Sequence, residues 1–212
     1  MPKRSYNSTR RALQAEQTRA EVLRAAVARF RETGWAGTTL AAIADAAGVS
    51  VETIYNGFGS KKGLLRAAMD MAVVGDAEPV PFVERAEFHS LAEGSIDERI
   101  ASGAEVVAAT HERSAGVWQA IVEAAGADEE VAAWRLELEQ GRRIDAGRSA
   151  ALMLGRAPDE QLTTMLWVLY SPETYGKLVH DAGLTREEYK AFLVEASRRL
   201  IPDVQATQGT GS

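Results

Sequence analysis

One short stretch of the chain has the side-chain types that can read duplex DNA. The carboxylate of Glu52 can accept a hydrogen bond from cytosine, and Val51 and Thr53 can touch a thymine methyl group. The polar ends of Tyr55 and Asn56 can bond to phosphate oxygens, which would set the register of a protein on DNA. An acid in the first turn of a helix also suits the helix dipole, so base readout and a structural role are both open for Glu52.

The sequence around this stretch predicts helices that would present it. Residues 38–62, TTLAAIADAAGVSVETIYNGFGSKK, are typical of two short helices joined by a tight turn and followed at once by another helix. Gly48 is suited to end the first helix and Ser50 to cap the second. The second helix, from Val51 to about Tyr55, is too short to be stable alone. The pattern predicts a helix-turn-helix, whose second helix enters the major groove; the alternative is a helical hairpin that only contributes to a core.

The charge is distributed unevenly along the chain. Residues 1–65 contain ten Lys and Arg against five Asp and Glu, which is a net charge of +5. Because the whole chain has a net charge of −6, residues 66–212 carry −11. A basic end attached to an acidic body is expected when only that end meets phosphate. This charge asymmetry favours a DNA-binding helix-turn-helix over a helical hairpin that only contributes to a core.

Further groups near the helix-turn-helix could contact phosphate. Residues 1–11 are polar and basic and predict a flexible arm, which would bind phosphate or the minor groove or would only aid solubility. Lys61 and Lys62 fall in the first turn of the helix that follows, where the dipole disfavours cations. Two lysines at this position would be favourable if a DNA phosphate lay just beyond them; the alternative is that both are solvated surface lysines. Thr39, at a predicted helix start, offers a hydroxyl and a backbone N–H to a phosphate.

The same residues resemble a known family. The motifs TTLAAIADAAGVS, TIYNGF and SKKGLL are similar to the DNA-binding domain of TetR-type transcriptional repressors over residues of about 12–74. Residues 167–193 resemble the last three helices of many members. The sequence departs from the family at Val51-Glu52, commonly a basic residue and glycine, and at Gly57, commonly bulkier, which puts the operator sequence in doubt. The resemblance implies DNA contacts at the matching positions, which are Thr39, Ser50, Thr53, Tyr55, Asn56 and Lys61.

The composition is that of a helical globular protein. The chain has 212 residues, of which 46% are apolar and 25% charged, and it is long enough to bury a sizeable core. It has no cysteine, which excludes disulfides, thiol chemistry and zinc fingers. Strand patterns are nearly absent, so we predict an all-α fold. Because no apolar run reaches the roughly 20 residues of a membrane span, we expect a cytoplasmic protein, and we expect neither a cofactor nor a metal.

A proline-containing linker just after residue 74 predicts a domain boundary. We expect a DNA-binding domain over residues 1–74, a larger helical domain for effector binding and dimerisation over residues 75–201, and a disordered tail over residues 202–212. Within these domains, apolar spacing predicts a first helix over residues 12–33, and separate helices over about 96–111 and 116–125. A further helix should begin with a proline, Pro158, at its first position.

Aromatic residues in the predicted C-terminal domain could line an effector cavity. Helical bundles hold ligands between their helices, although the same side chains could simply fill the core. The resemblance favours a cavity, because family members sense small molecules in this domain, and an apolar lining would suit a hydrophobic or aromatic effector. The candidates are Phe88, His111, Trp118 and Trp134.

The last helices carry apolar faces that are wider than a monomer needs. Pairing of two copies would cover these faces, and proteins similar to this one dimerise in this way. A two-fold dimer would also present two copies of the DNA-reading helix to a pseudo-palindromic site. The interface candidates are Leu162, Leu166, Leu169, Tyr170, Phe192, Leu193 and Ala196.

The sequence therefore predicts a homodimeric, ligand-responsive transcriptional repressor, released from its operator by a small effector. The main alternative is an architectural DNA-binding protein that has no ligand. An enzyme is a remote alternative, because the three histidines lack metal-ligand spacing and there is no glycine-rich phosphate loop.

Overall fold

The computed structural model describes residues 4–76 and 84–201, and every regular element within them is helical. The prediction of an all-α fold is confirmed. A 3₁₀ turn, Ser90–Ala92, follows α5, and a π-helical segment, Gly176–Asp181, follows α9. The helices are α1 (Arg4–Gly37), α2 (Leu40–Ala47), α3 (Val51–Phe58), α4 (Lys61–Val74), α5 (Ala86–His89), α6 (Ile96–Ala125), α7 (Glu129–Leu154), α8 (Glu160–Leu169), α9 (Pro172–Tyr175) and α10 (Arg186–Leu200).

The chain divides into two compact units. Unit 1 comprises Met1–Glu78 together with Gly116–Ala132, and unit 2 comprises Pro79–Ala115 together with Ala133–Ser212. The C-terminal end of α6 and the N-terminal end of α7 therefore belong to unit 1. The domain boundary near residue 75 stays a prediction. The sequence pattern does not predict that residues 116–132 belong to the same unit as the N-terminal helices.

Short polar caps define the helices of unit 1. The hydroxyl of Thr39 accepts a hydrogen bond from the N–H of Ala42 at 3.1 Å and so caps α2, which ends at Gly48 with a φ of 67°. Ser50 caps α3 by accepting from the N–H of Thr53 at 3.1 Å. Each cap satisfies one of the N–H groups that a helix start leaves free. These caps and the turn at Gly48 confirm the predicted helix-turn-helix.

The helix-turn-helix rests on an apolar core. α1 packs against both α2 and α4, while α3 packs between α2 and α4. α3 contributes a single fully buried side chain, so its neighbours hold it in place. The main buried residues of this core are Val22, Leu23, Ala26, Phe30, Ile43, Ile54, Leu64 and Leu65.

The N-terminal helix is longer than the sequence predicts. α1 begins at Arg4 rather than at residue 12, so most of the expected flexible arm is helical. The reason is that residues 4–11 contain no proline or glycine that would stop a helix. Residues 1–3 lie outside the described residues. At the other end, the helix breaks at Gly34, where φ is 65° and ψ is −168°, as the sequence predicts.

Three further boundaries differ from the prediction. α3 continues past Tyr55 to Phe58. α6 is one continuous helix, because Gly116 does not break it but marks a close approach to α1: a Cβ there would lie 2.9 Å from the Cα of Arg31. Pro158 lies outside α8, whose cap is Asp159. The predicted tail over residues 202–212 lies outside the described part of the chain.

Unit 2 is built around the C-terminal helices. α8 packs against α10, and residues of α6 and α7 complete the core. α10 begins with a capping box, in which the Thr185 hydroxyl accepts from the N–H of Glu188 while the Glu188 carboxylate accepts from the N–H of Thr185. The core includes Ile100, Ala104, Ala108, Leu166, Tyr189 and Leu193.

Candidate nucleic-acid interface

α3 presents a polar face to solvent. Its buried residue is Ile54, while Glu52, Thr53, Tyr55 and Asn56 are all exposed, with 52% of Tyr55 accessible. An exposed, large aromatic residue whose ring ends in a hydroxyl is suited to contact with a polar partner. The exposed face of α3 therefore brings together the groups that sequence analysis assigned to base and phosphate contacts.

The hydroxyls of the remaining candidates are already positioned by caps. Ser50 Oγ lies 2.9 Å from Thr53 Oγ1 in a hydrogen bond, so these two hydroxyls orient each other at the start of α3. Thr39 is exposed at the start of α2, where further backbone N–H groups of the first turn are available to an anion. Val51 is half-buried, which leaves part of its side chain accessible.

A groove of about 540 Å³ runs between α1 and α3. Its α3 side includes Thr53 and Asn56 from the exposed face. One wall is fixed by Arg19, whose guanidinium donates to the carbonyl of Gly57 at 3.3 Å and lies 4.5 Å from the ring centroid of Phe58. On the α1 side, the lining residues are Arg11, Gln14, Ala15, Thr18, Arg19 and Val22.

The ammonium group of Lys61 has partners within unit 1. It donates to the carbonyl oxygen of Trp35 and lies 4.0 Å from the centroid of the Trp35 indole. Burial lowers the pKa of Lys61, and the nearby carboxylate of Glu123 partly offsets that effect. This placement argues against a direct phosphate contact by Lys61, although the resemblance implies one.

Lys62 is likewise held by acids of unit 1. Its ammonium lies 2.6 Å from a carboxylate oxygen of Glu130 and 3.1 Å from one of Asp128. Hydrogen bonds to Glu130 and Asp128 raise the pKa of Lys62. The two lysines therefore connect the start of α4 to Trp35 and to the acids at the start of α7. The sequence analysis expected either a phosphate contact or solvated lysines and did not expect these partners.

Sequence analysis missed the acids that contact the N-terminal helices. Glu123 accepts hydrogen bonds from the backbone N–H groups of Trp35 and Ala36, at 2.6 and 3.1 Å. Asp128 and Glu130 bind Lys62, as described above. The sequence signal for Asp128 and Glu130 was present but incomplete, because acids at a helix start are sufficiently explained by the dipole of that helix. For Glu123 there was no local signal.

The four candidate effector residues lie in different packing environments. Phe88 packs with Leu91 and Met153. His111 contacts Tyr175 and Tyr189 in unit 2, while Trp118 is buried in unit 1 and Trp134 in unit 2. All four are buried, as side chains that fill a core would be, and a common effector cavity stays a prediction.

His111 is a neutral histidine inside unit 2. Its Nδ1 shares a hydrogen bond of 2.9 Å with the hydroxyl of Tyr189, and its ring contacts that of Tyr175 edge-on at 5.6 Å. Burial, with a smaller contribution from Arg142, lowers the pKa of His111 to about 3. The histidine therefore stays uncharged throughout the physiological pH range.

Protonation of His111 should make the protein sensitive to acid. The pKa of His111 is about 3 in the folded protein and about 6.5 in the unfolded chain. The stability that its neutral form contributes is therefore fully present above pH 6.5 and is lost as the pH falls toward 3. We expect wild type to lose about 2 kcal/mol more than His111→Gln between pH 7 and pH 5. Urea unfolding of both proteins at the two pH values measures the difference; parallel losses would show that His111 does not titrate in this way.

Most of the predicted dimer residues are buried within their own chain. Leu162, Leu166, Leu169 and Leu193 are part of the unit 2 core, so the wide apolar faces are covered by α8 and α10 packing on each other. A side chain buried in its own chain has little area left for a partner, and a place for these four residues in a dimer interface stays a prediction. Of the remaining candidates, Tyr170 and Ala196 are half-buried, and 40% of Phe192 is accessible.

Other apolar side chains on α8 are exposed instead. Met165 and Val168, three residues apart and on the same side of the helix, are 39% and 54% accessible. Periodicity missed them because it cannot tell which side of a strongly apolar helix its own chain will cover.

The order of the helices and the exposed polar face of α3 define the type of motif that the N-terminal residues form. A helix-turn-helix with an exposed polar face on its second helix, followed by a larger helical unit, is an architecture found in DNA-binding transcriptional regulators. Among the helices that the structure describes, none has the length and apolar character needed to cross a bilayer.

Comparisons with known proteins show similarity to one family in the N-terminal helices and in the fold. Residues 22–68 match the family model of bacterial regulatory proteins, tetR family. The fold is similar to that of a TetR-like transcriptional regulator from Rhodococcus sp. RHA1, with a TM-score of 0.59 and 19% identity over 86% of this chain and 94% of that chain. It is also similar to a protein from Rhodococcus sp. assigned to the TetR family, with a TM-score of 0.60 and 18% identity over 87% and 98% of the two chains.

No curated protein matches the chain. Residues 22–68 nevertheless match the tetR family model, and the chain has the fold of the two TetR-type regulators to which it is similar. The resemblance noted from the sequence is confirmed.

Proposed function

We propose that this protein is a ligand-responsive transcriptional repressor that binds a pseudo-palindromic operator as a homodimer. The observation that carries the proposal is the exposed face of α3, where Glu52, Thr53, Tyr55 and Asn56 project from a helix whose one buried residue, Ile54, fixes it to the core. This helix lies in the part of the chain that carries a net positive charge. Positive charge supplies affinity for any duplex, and the polar face of α3 supplies selectivity.

The proposed contacts follow from position on the helices. Val51, Glu52 and Thr53, in the first turn of α3, would meet base edges in the major groove. Tyr55 and Asn56 would bond to phosphates, as would Ser50 and Thr39 at the two helix starts. The groove between α1 and α3 continues this surface, and its residues Arg11, Gln14 and Thr18 could receive the adjacent sugar–phosphate backbone.

Dimerisation is supported by the apolar side chains that remain exposed on the C-terminal helices. Met165 and Val168 of α8 and Phe192 of α10 are large apolar residues on two helices that pack together. Burial of these residues against a second copy would remove apolar area from water, which favours association. Two copies would provide two α3 helices for two half-sites.

The proposed effector is a small hydrophobic or aromatic molecule bound in unit 2. Phe88, His111 and Trp134 are apolar or neutral residues of that unit that could surround it. Binding would lower DNA affinity only by the difference between the effector's affinities for the DNA-binding and the released state. Repression, rather than activation, follows from the family resemblance.

Selection of bound sites from random duplex DNA by the intact chain tests the proposal. We expect enrichment of a pseudo-palindrome with two related half-sites about one helical turn apart, roughly 34–36 Å. Enrichment of no sequence, with binding that is only salt-sensitive, would instead support the architectural alternative. A metabolite panel added to the selected complex then tests ligand response, and unchanged affinity at saturating effector would refute release.

Base readout by Glu52 can be tested on the selected site. We expect Glu52→Ala to relax the preference at one base pair in each half-site, because an exposed carboxylate in the first turn of α3 can accept from cytosine. Loss of one such contact should reduce discrimination by about 1–3 kcal/mol. A repeated selection with the variant measures this; an unaltered preference would assign Glu52 to the helix dipole alone.

A further inference from the structure

A carboxylate from α6 caps a turn of the N-terminal helices. Glu123 accepts from the N–H groups of Trp35 and Ala36, which come directly after the break in α1 at Gly34. N–H groups that follow such a break have lost their partners in the preceding helix. A carboxylate that accepts two of them makes charge-assisted hydrogen bonds, which are stronger than neutral ones.

The chain leaves space for this carboxylate. A Cβ at Gly34 would lie 2.7 Å from Oε2 of Glu123, and the φ of 65° at Gly34 also favours glycine. Two turns earlier in α6, Gly116 lets the backbone of that helix approach α1, since a Cβ there would lie 2.9 Å from the Cα of Arg31. Two glycines therefore allow α6 to reach the turn.

The capped turn is connected to the starts of both α2 and α4. The carbonyl of Trp35 accepts from the ammonium of Lys61, in the first turn of α4. The buried hydroxyl of Thr38 donates to the carbonyl of Gly34 at 2.6 Å. Thr39, the cap of α2 and a proposed phosphate contact, is the next residue. One turn thus holds the beginning of the helix-turn-helix and the beginning of the helix that follows it.

We propose that Glu123 is a positioning residue for DNA binding, which acts by fixing the turn at residues 34–38 and, through it, Thr39 and Lys61. The inference rests on the proposed function, because it assumes that the exposed face of α3 and the start of α2 meet DNA. Glu123 acts through backbone N–H groups and not by touching DNA. In the same arrangement Lys61 belongs to the support of the interface rather than to its phosphate contacts.

If Glu123 positions the turn, its removal should change operator affinity in the opposite direction to the change expected from its charge alone. Removal of an acid from a DNA-binding unit strengthens binding to every duplex if only long-range electrostatics matter. If Glu123 positions the turn, Glu123→Ala instead weakens binding to the selected operator about tenfold, while affinity for random duplex stays equal or rises. The ratio of specific to non-specific affinity separates the two cases.

The experiment measures operator and random-duplex affinity for the intact chain and its variants by fluorescence anisotropy. Glu123→Gln retains one oxygen that can accept, so we expect it to lose less than Glu123→Ala. Glu129→Ala removes an exposed acid from the same segment and is the matched control, with an unchanged ratio. Lys61→Ala should reduce affinity for the operator without changing how steeply that affinity falls with salt concentration. The double variant Glu123→Ala/Lys61→Ala should lose less binding free energy than the sum of the losses of the two single variants.

The outcomes separate this inference from the proposed function. If wild type binds no duplex, the proposed function fails. If wild type binds its operator and Glu123→Ala binds it equally well or better, only the positioning role is wrong. Circular dichroism melting of each variant is recorded at the same time. Should Glu123→Ala fail to fold, Glu123→Gln decides the question, and an unchanged ratio in that variant overturns the inference.

Discussion

Gly63→Ala should destabilise unit 1 by about 3 kcal/mol, the upper end of the usual cost of overpacking. A Cβ at Gly63 would lie 2.1 Å from the backbone carbonyl oxygen of Phe58 and 3.3 Å from its carbon. Because the obstacle is backbone rather than the end of a flexible side chain, α3 and α4 must separate. The same shift would strain the cap of α4, where Ser60 accepts from the N–H of Gly63 at 3.0 Å.

Gly57→Ala is the matched control, in the helix next to it. A Cβ at Gly57 would meet no heavy atom within 4 Å among the described residues beyond its own helix and chain neighbours. Alanine there gains only the better helix propensity, which is worth about 0.5–1 kcal/mol. Urea unfolding of both variants should show opposite signs. Equal stability changes would mean that α3 and α4 are not packed as closely as described.

Val168→Glu should convert the proposed dimer into a monomer and reduce operator affinity by a factor of about 10²–10⁴. Val168 is 54% accessible on α8, so an acid at this position costs little in the monomer. In a two-fold dimer the same residue would occur twice in one interface, where two carboxylates would be desolvated and would repel each other. The loss of affinity is that expected when two linked half-site contacts become independent.

Leu136→Glu provides the comparison for Val168→Glu. Leu136 has the same accessibility, 54%, but lies on α7 rather than on α8 or α10. Sedimentation velocity should find this variant dimeric, with wild-type operator affinity. If both variants are dimeric, the interface lies elsewhere than on α8. If both are monomeric, any added acid disrupts the dimer, and the effect of Val168→Glu does not locate the interface.

What could be predicted from sequence is what nearby residues determine. The cap at Ser50 and the end of α2 at Gly48 depend on contacts within four residues, and both were predicted, as was the start of α2 near Thr39. Stacking of Trp35 on Phe30, with ring centroids 6.2 Å apart, is equally local. The exposed face of α3 follows because one inward residue fixes the orientation of a short helix.

What could not be predicted depends on residues far apart in the chain. Glu123 lies 87 and 88 positions from the two N–H groups it caps, and Lys62 lies 68 positions from Glu130. Nothing in the local pattern of either segment requires such a partner. Lys61 illustrates the consequence: a cation at a helix start suggested phosphate, whereas the carbonyl and indole of Trp35 hold it.

The burial of the apolar residues in unit 2 also depends on distant residues. Periodicity detects that α8 is apolar, but only the packing of α8 on α10 decides that Leu166 is covered while Val168 is not. Glycine is ambiguous in a similar way. Gly116 was predicted to begin a separate helix, whereas it lies inside the continuous α6 and its lack of a Cβ lets that helix approach α1.

The most direct measurement of the central claim is analytical ultracentrifugation of the intact chain with its selected duplex over a range of salt concentrations. We predict that two chains bind one duplex and that the logarithm of affinity falls linearly with the logarithm of salt concentration, by about 0.9 for each phosphate contacted. A chain that stays monomeric and associates with no duplex, even at low salt, would contradict the account.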